Sequence, residues 1–188
     1  MKKVILFAAV MLFSAAAWAQ PKFAHVNFSE LVQLMPEADQ ARATLQASSK
    51  EAQETYQTMV EEFNSKYSTY QQKLNTWTPA IRESKEKELT EIQQRVQEFQ
   101  ATVSQELQQQ EQQLMAPIYQ KAQETVTSLA KKAGYVYVFD RSSILYIDDT
   151  QSTDITKAAR KALGIADDRT LESLQAELQA QQQAAASE

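Results

Sequence analysis

The sequence predicts an α+β chain that is mainly α. A long antiparallel two-helix arm projects from a small β body that is completed by oligomerisation. Three observations carry this reading. Apolar residues recur at the helical period from Ala38 to Ala133, with one polar break before Pro79. The stretches at residues 22–28 and 134–148, which flank that run, alternate with a period of two. The whole chain of 188 residues holds two glycines, far below the usual share, so the Gly-rich turns of a compact α/β enzyme are missing.

The elements follow in order. Lys2 and Lys3, the apolar run Val4 to Phe13 and the small-x-small triplet Ala17-Trp18-Ala19 make residues 1–19 a cleaved signal peptide. The mature chain is therefore expected to be exported, with periplasmic placement following from the resemblance below. No later apolar stretch is long enough to span a bilayer, so no stable membrane insertion is expected. Without Lys2 and Lys3 the chain keeps 17 Lys+Arg against 24 Asp+Glu, a net charge of −7, which argues against a nucleic-acid partner. There is no cysteine, hence no disulfide, thiol chemistry or Cys-based zinc site.

Residues 22–28, KFAHVNF, read as a half-buried strand, with Ala24, Val26 and Phe28 on one face. Ser29 caps a brief helix that Pro36 ends, and Pro36 opens the next one with Glu37 and Asp39 in its first turn. The first arm helix carries Ala41, Leu45, Ala52, Tyr56, Met59, Phe63, Tyr67, Tyr70 and Leu74 on one stripe. Thr78 caps the second, Pro79 is its first residue, and Gly134 stops it. Its stripe includes Ile81, Leu89, Ile92, Val96, Val103, Leu107, Leu114, Ile118 and Leu129. Many of these lie eleven apart, a spacing that favours nearly straight packing. Pro117 interrupts this helix, and a kink is expected there, with residues 105–117 the place for the arm to flex.

After Gly134, GYVYVFDRSSILYID reads as a β-hairpin turning at Asp140–Ser143, with Val136 and Val138 on one face of its first strand. Thr153 or Asp154 then caps a short helix closed by Gly164. The arm brings the hairpin back to the N-terminal strand. The chain thus divides into a body (residues 20–36 plus 134–164), an arm (37–133) and a C-terminal helical, low-complexity tail (165–188) that reads as an appendage. So small a body favours oligomerisation. Its expected interface is Val26, Phe28, Val136, Val138, Ile144 and Tyr146.

No catalytic, cofactor or metal constellation emerges. His25 is the one histidine and reads as structural or surface-lying, the carboxylate pairs Glu61-Glu62 and Asp148-Asp149 as solvated charge, and Asp167-Asp168 as a helix cap. The arm aromatics read as seam residues. Met59, adaptable in shape, and Trp77, in the turn where full burial is hard, are the candidates for contact with a client.

Several local motifs resemble the Skp/OmpH family of periplasmic chaperones. They are FAHVNFSELVQLMPEADQA, APIYQKAQETVTSLAKKAGYVYVFDRSSILYID and DITKAARKALGI, within about residues 22–165. The resemblance implies a Skp-like homotrimer whose strands complete a barrel-like core and whose arms surround a cavity. There it would hold unfolded outer-membrane β-barrel proteins without ATP or any cofactor. The best-known members are markedly basic, whereas this arm sums to −2 over residues 37–78 and −1 over 79–133. A basic clamp or lipopolysaccharide site is therefore not carried over. The alternative is a structural coiled-coil scaffold or tether of the cell envelope; an enzyme is the poorest option.

Overall fold

The computed structural model describes residues 21–186; the expected signal peptide lies outside the described residues. Strand β1 (Lys22–Val26) leads into helix α1 (Phe28–Leu34). The arm follows as α2 (Pro36–Lys73) and α3 (Pro79–Ala133). Strand β2 (Tyr135–Asp140), a 3-10 turn (Arg141–Ser143), strand β3 (Ser152–Asp154), α4 (Thr156–Ala162) and α5 (Leu171–Ala186) complete the chain.

Helix α1 is short but anchored. Its cap is Asn27 rather than the expected Ser29. The Asn27 carboxamide oxygen accepts from the Glu30 backbone N–H at 3.2 Å, and its NH2 donates to the Glu30 carboxylate at 3.0 Å. One orphan N–H of the first turn is thereby satisfied, and the side-chain bond fixes the cap; the Asn27 N–H itself donates to the Thr156 hydroxyl at 3.0 Å. Met35, in extended backbone, closes α1 and precedes Pro36, which opens α2 with a preset φ.

The arm keeps the helical period that its stripe foretells. At about 1.5 Å per residue its helices of 38 and 55 residues are roughly 57 and 82 Å long. Thr78 accepts from the Ile81 N–H at 3.4 Å and Pro79 is the first helical residue, as expected. Leu45, Ala52, Tyr56, Met59, Phe63 and Tyr70 are half-buried, as are Leu89, Val96, Phe99, Val103 and Leu107, with Ile92 buried among them. Ile81 and Tyr67 depart from the expected seam and are exposed, because near the tip the inward positions fall to Arg82, Lys85 and Glu88 instead. Helix α3 runs on through Pro117, and the buried Ile118 and Ala122 directly after it pack into the core. Gly134 ends α3 at φ 73°, a left-handed position where a Cβ is strained.

The expected β-hairpin is not formed. The sheet order is β2-β1-β3, and both outer strands run parallel to β1. A tight hairpin needs a turn with positive φ, usually from Gly or Asn-Gly. Asp-Arg-Ser-Ser offers none, and among the described residues only Gly134 and Gly164 have positive φ. The chain therefore leaves β2 through the 3-10 turn and crosses to the far side of β1, where Ser152–Asp154 pairs in place of Ile144–Ile147. The Asp140 carboxylate holds this exit by accepting from the Ser142 N–H at 3.2 Å, the Ser142 hydroxyl at 2.7 Å and the Phe28 N–H at 3.4 Å. A second departure is a bulge in β2. Tyr135 faces Lys22 and Tyr137 faces Phe23, so Val136 is left without a partner and is 56% exposed.

The core gathers at the root of the arm. Ala24 and Val26 of β1, Leu31, Val32 and Leu34 of α1, and Met35, Ala38 and Ala41 meet Ile118 and Ala122 of α3. Ile155, Ala159 and Leu163 close one side. The C-terminal segment is not an appendage: Ile165 and Leu174 are buried in this same core, with Leu171 and Leu178 packed against it. Thr170, rather than Asp167 or Asp168, caps α5 by a reciprocal pair of 3.0 Å bonds with Ser173.

Candidate functional surfaces

Three regions bear on function: the outer face of the sheet, the root of the arm, and the arm's tip.

On the outer face, Phe23 stacks on Tyr137 with centroids 6.2 Å apart, and Tyr137 on Phe139 at 5.9 Å. Tyr137 and Phe139 remain exposed on this face. The crossing segment arches over this face. Between them lies a cavity of about 480 Å³, lined by Phe23, Phe139, Ile144, Tyr146, Ile147 and Gln151 among others. Ile144 is extended, at φ −119° and ψ 128°, yet it belongs to no strand. Its neighbours Leu145 and Tyr146 are fully and largely exposed. Ile144 and Ile147 are half-buried, so two of the four apolar residues in this run stand in solvent, which is costly unless something covers them.

His25 sits beneath the crossing segment and is 1% exposed. Its Nδ1 is 2.9 Å from the Ser152 hydroxyl and its Nε2 is 3.7 Å from the Asp154 carboxylate. The trio holds the residue types of a hydrolytic triad but works as a lock. Serine and carboxylate both lie on β3, and the imidazole of β1 ties that three-residue strand to the sheet. Burial pushes the Asp154 carboxyl up, but hydrogen bonds from Thr156 and the charges of His25 and Arg141 outweigh it and hold it below its ordinary value. The same opposition lowers Asp140, where burial is outweighed by Ser142 and the Phe28 N–H.

The expected interface residues do not share one environment. Val26 is buried in the subunit's own core, and Val138 and Phe28 are half-buried beside it. Phe28, Val126, Ala130, Tyr135 and Val136 line a groove between β2 and the end of α3. Ile144 is half-buried, while Val136 and Tyr146 face solvent. The sequence reading passed over Tyr119, 51% exposed and packed on Phe28 at 6.3 Å, and Leu145. Leu145 had a signal: in Ile-Leu-Tyr-Ile both faces of an extended run are apolar.

At the tip, the Tyr70 and Trp77 rings pack tilted at 58° with centroids 6.1 Å apart, and Trp77 is half-buried, as is Met59 further down the seam. Tyr70 donates its hydroxyl to Glu86, which pushes the phenol's pKa up. Lys66 and Lys85 both bond Glu88, and Arg95 reaches Glu62 at 3.4 Å. The two lysines hold the Glu88 carboxyl down at about 2. The arm is thus clasped by ion pairs across its helices where aliphatic packing thins. Among the described residues no group of three or more His, Asp or Glu could hold a metal, and no helix is long and apolar enough to cross a membrane.

A small body with an apolar, incompletely covered sheet and one long helical-hairpin arm defines a body-and-arm protein built to present extended helices. The chain matches the model of the family described as outer membrane protein (OmpH-like) over residues 22–163. It belongs to the OmpH-like family, in agreement with the resemblance read from its motifs. A solved structure from Caulobacter crescentus CB15, assigned as an OmpH-like outer membrane chaperone, superposes with a TM-score of 0.69 at 16% identity. The match covers 81% of this chain and 92% of that one, and it shows a shared fold. No curated protein matches the sequence significantly.

Proposed function

We propose that this chain is a periplasmic, ATP-independent holdase for unfolded outer-membrane β-barrel proteins. Membership of the OmpH-like family and the chaperone assignment of the Caulobacter relative support a chaperone rather than a catalytic role. The observation that carries the reading is the pairing of an uncovered apolar body with a free-standing arm. Copies join through the body, by the exposed Val136 and Tyr146 and the half-buried Ile144, together with Tyr137, Phe139 and Leu145. Val26, Phe28 and Val138 support that surface from beneath. In a homotrimer three arms would then enclose a shared space.

An unfolded β-barrel chain exposes alternating apolar residues and unpaired strand edges, and it aggregates through them. Separation between arms prevents this without tight binding. Half-buried seam residues such as Met59 and Trp77 offer many weak contacts, whose sum gives avidity and whose individual weakness allows release without ATP. Both glycines end helices, so no Gly-rich nucleotide loop is present.

Dilution of a urea-denatured outer-membrane porin into buffer, followed by light scattering, tests the proposal. Scattering is expected to fall as the protein is added at stoichiometric amounts, with no nucleotide present. Undiminished scattering, together with selective capture of one folded envelope partner, would instead make the chain a tether. Native mass spectrometry reads the assembly, and a stable monomer would remove the enclosed space.

A further inference from the structure

Helices α1 and α2 are separated by one extended residue. Met35 has φ −61° and ψ 141°, and no side chain caps the start of α2. The corner is packed rather than open: Met35 and Ala38 are fully buried, and Glu37 bonds Lys121 of α3. Helix α5 lies across it. On the α1 side, Arg160 bonds the Glu30 carboxylate at 2.5 Å and also donates to the backbone oxygens of Ala166, at 2.9 Å, and of Arg169. On the α2 side, Arg169 bonds Asp39 at 2.9 Å while its other nitrogen bonds Glu177 at 2.5 Å. Leu174 is buried between these anchors, and Leu171 and Leu178, one helical turn to either side, pack against the core.

The family match ends at residue 163, before this element begins. The fold common to the family therefore reaches the arm's root without it. The anchors on the arm side are also wet: Asp39 and Glu177 are about half exposed. Exposed ion pairs contribute little to fold stability, so their placement calls for another explanation.

We infer that residues 164–186 are a splint across the α1–α2 joint, which sets the angle and stiffness of the arm relative to the body. Its apolar side supplies the hold, and the Arg169 pairs with Asp39 and Glu177 set its seating. Release of the splint loosens the root of α2, and with it the arm, against the body. The mechanical claim is independent of what the arms hold; its consequence for a captured client rests on the holdase reading.

The chain has no cysteine, so labels can be placed at will. Spin labels at Ser29→Cys on α1 and Gln71→Cys near the tip of α2, diluted with unlabelled subunits, report the joint angle as a distance distribution. Leu174→Asp should broaden that distribution and raise amide exchange over residues 36–46 by about tenfold or more. Arg169→Ala, which keeps the leucine contacts, should do so more weakly. A short bismaleimide bridge between Gln46→Cys and Gln181→Cys, which line the same groove, should narrow it. Exchange of β1 amides shows whether the body stays folded; if Leu174→Asp unfolds it, Arg169→Ala and the bridged protein decide. An unchanged distribution in both of those overturns the inference. Porin scattering is measured in parallel, so a client effect that fails with a joint that moves refutes the holdase reading and leaves the splint standing.

Discussion

Leu31→Ala is the sharpest probe of how the body is held together. Leu31 is completely buried in the middle of α1, a helix of seven residues that also buries Val32 and Leu34. Truncation removes an isopropyl group and about 2 kcal/mol of transfer free energy. The site has little freedom to collapse. Asn27 caps one end of α1, Met35 and Pro36 fix the other, and Glu30 is held by Arg160. The unfilled space therefore adds about 1 kcal/mol, for a total of about 3 kcal/mol. For a chain of this size that loss lowers the melting midpoint by about 6–12 °C. Scanning calorimetry measures the shift, and native-state hydrogen exchange on β1 assigns it to the body. A shift below about 3 °C would falsify the view that α1 is the keystone between sheet and arm.

Further outcomes follow from the same reasoning. Ile92→Ala, at the one fully buried seam position of the mid-arm, should cost about 2–4 kcal/mol locally, raising amide exchange in the facing helix while β1 stays protected. Gly134→Ala should destabilise by about 1 kcal/mol. A Cβ there meets no neighbouring atom, so the loss comes from the left-handed backbone alone, and Gly134→Asn should cost less in the same denaturant titration. Acid should loosen the tip. The folded Glu88 carboxyl sits at about 2, below its ordinary 4.5, so its clasp is fully present above pH 4.5 and is lost as the pH falls through about 2. Trp77 fluorescence should change in that window, and Glu88→Gln should show the loosened signal at neutral pH.

The arm was legible because its signal is local and repeated. Thr78-Pro79, Met35-Pro36 and Gly134 mark helix ends by backbone chemistry that needs no tertiary partner. Dozens of residues at one period average out exceptions such as Ile81 and Tyr67. The body was less legible. Residues 144–147 are a short apolar run like a strand, but which segment pairs with β1 depends on where the chain can go after Asp140. A single unpaired residue, Val136, then put Tyr135 rather than Val136 on the core side with Val138. The candidate surface suffered most: Val26 reads identically whether its face meets another subunit or its own core.

Local sequence alone thus determined two long helices with their ends and a chain with two glycines, both placed at helix ends. Tertiary structure alone decided the all-parallel strand order, the burial of His25 and the seating of α5 across the Met35 joint. Helix period and capping are written within a few neighbouring residues. Strand partners and the faces they cover are chosen by contacts more than a hundred residues apart, such as His25 with Ser152 and Glu30 with Arg160.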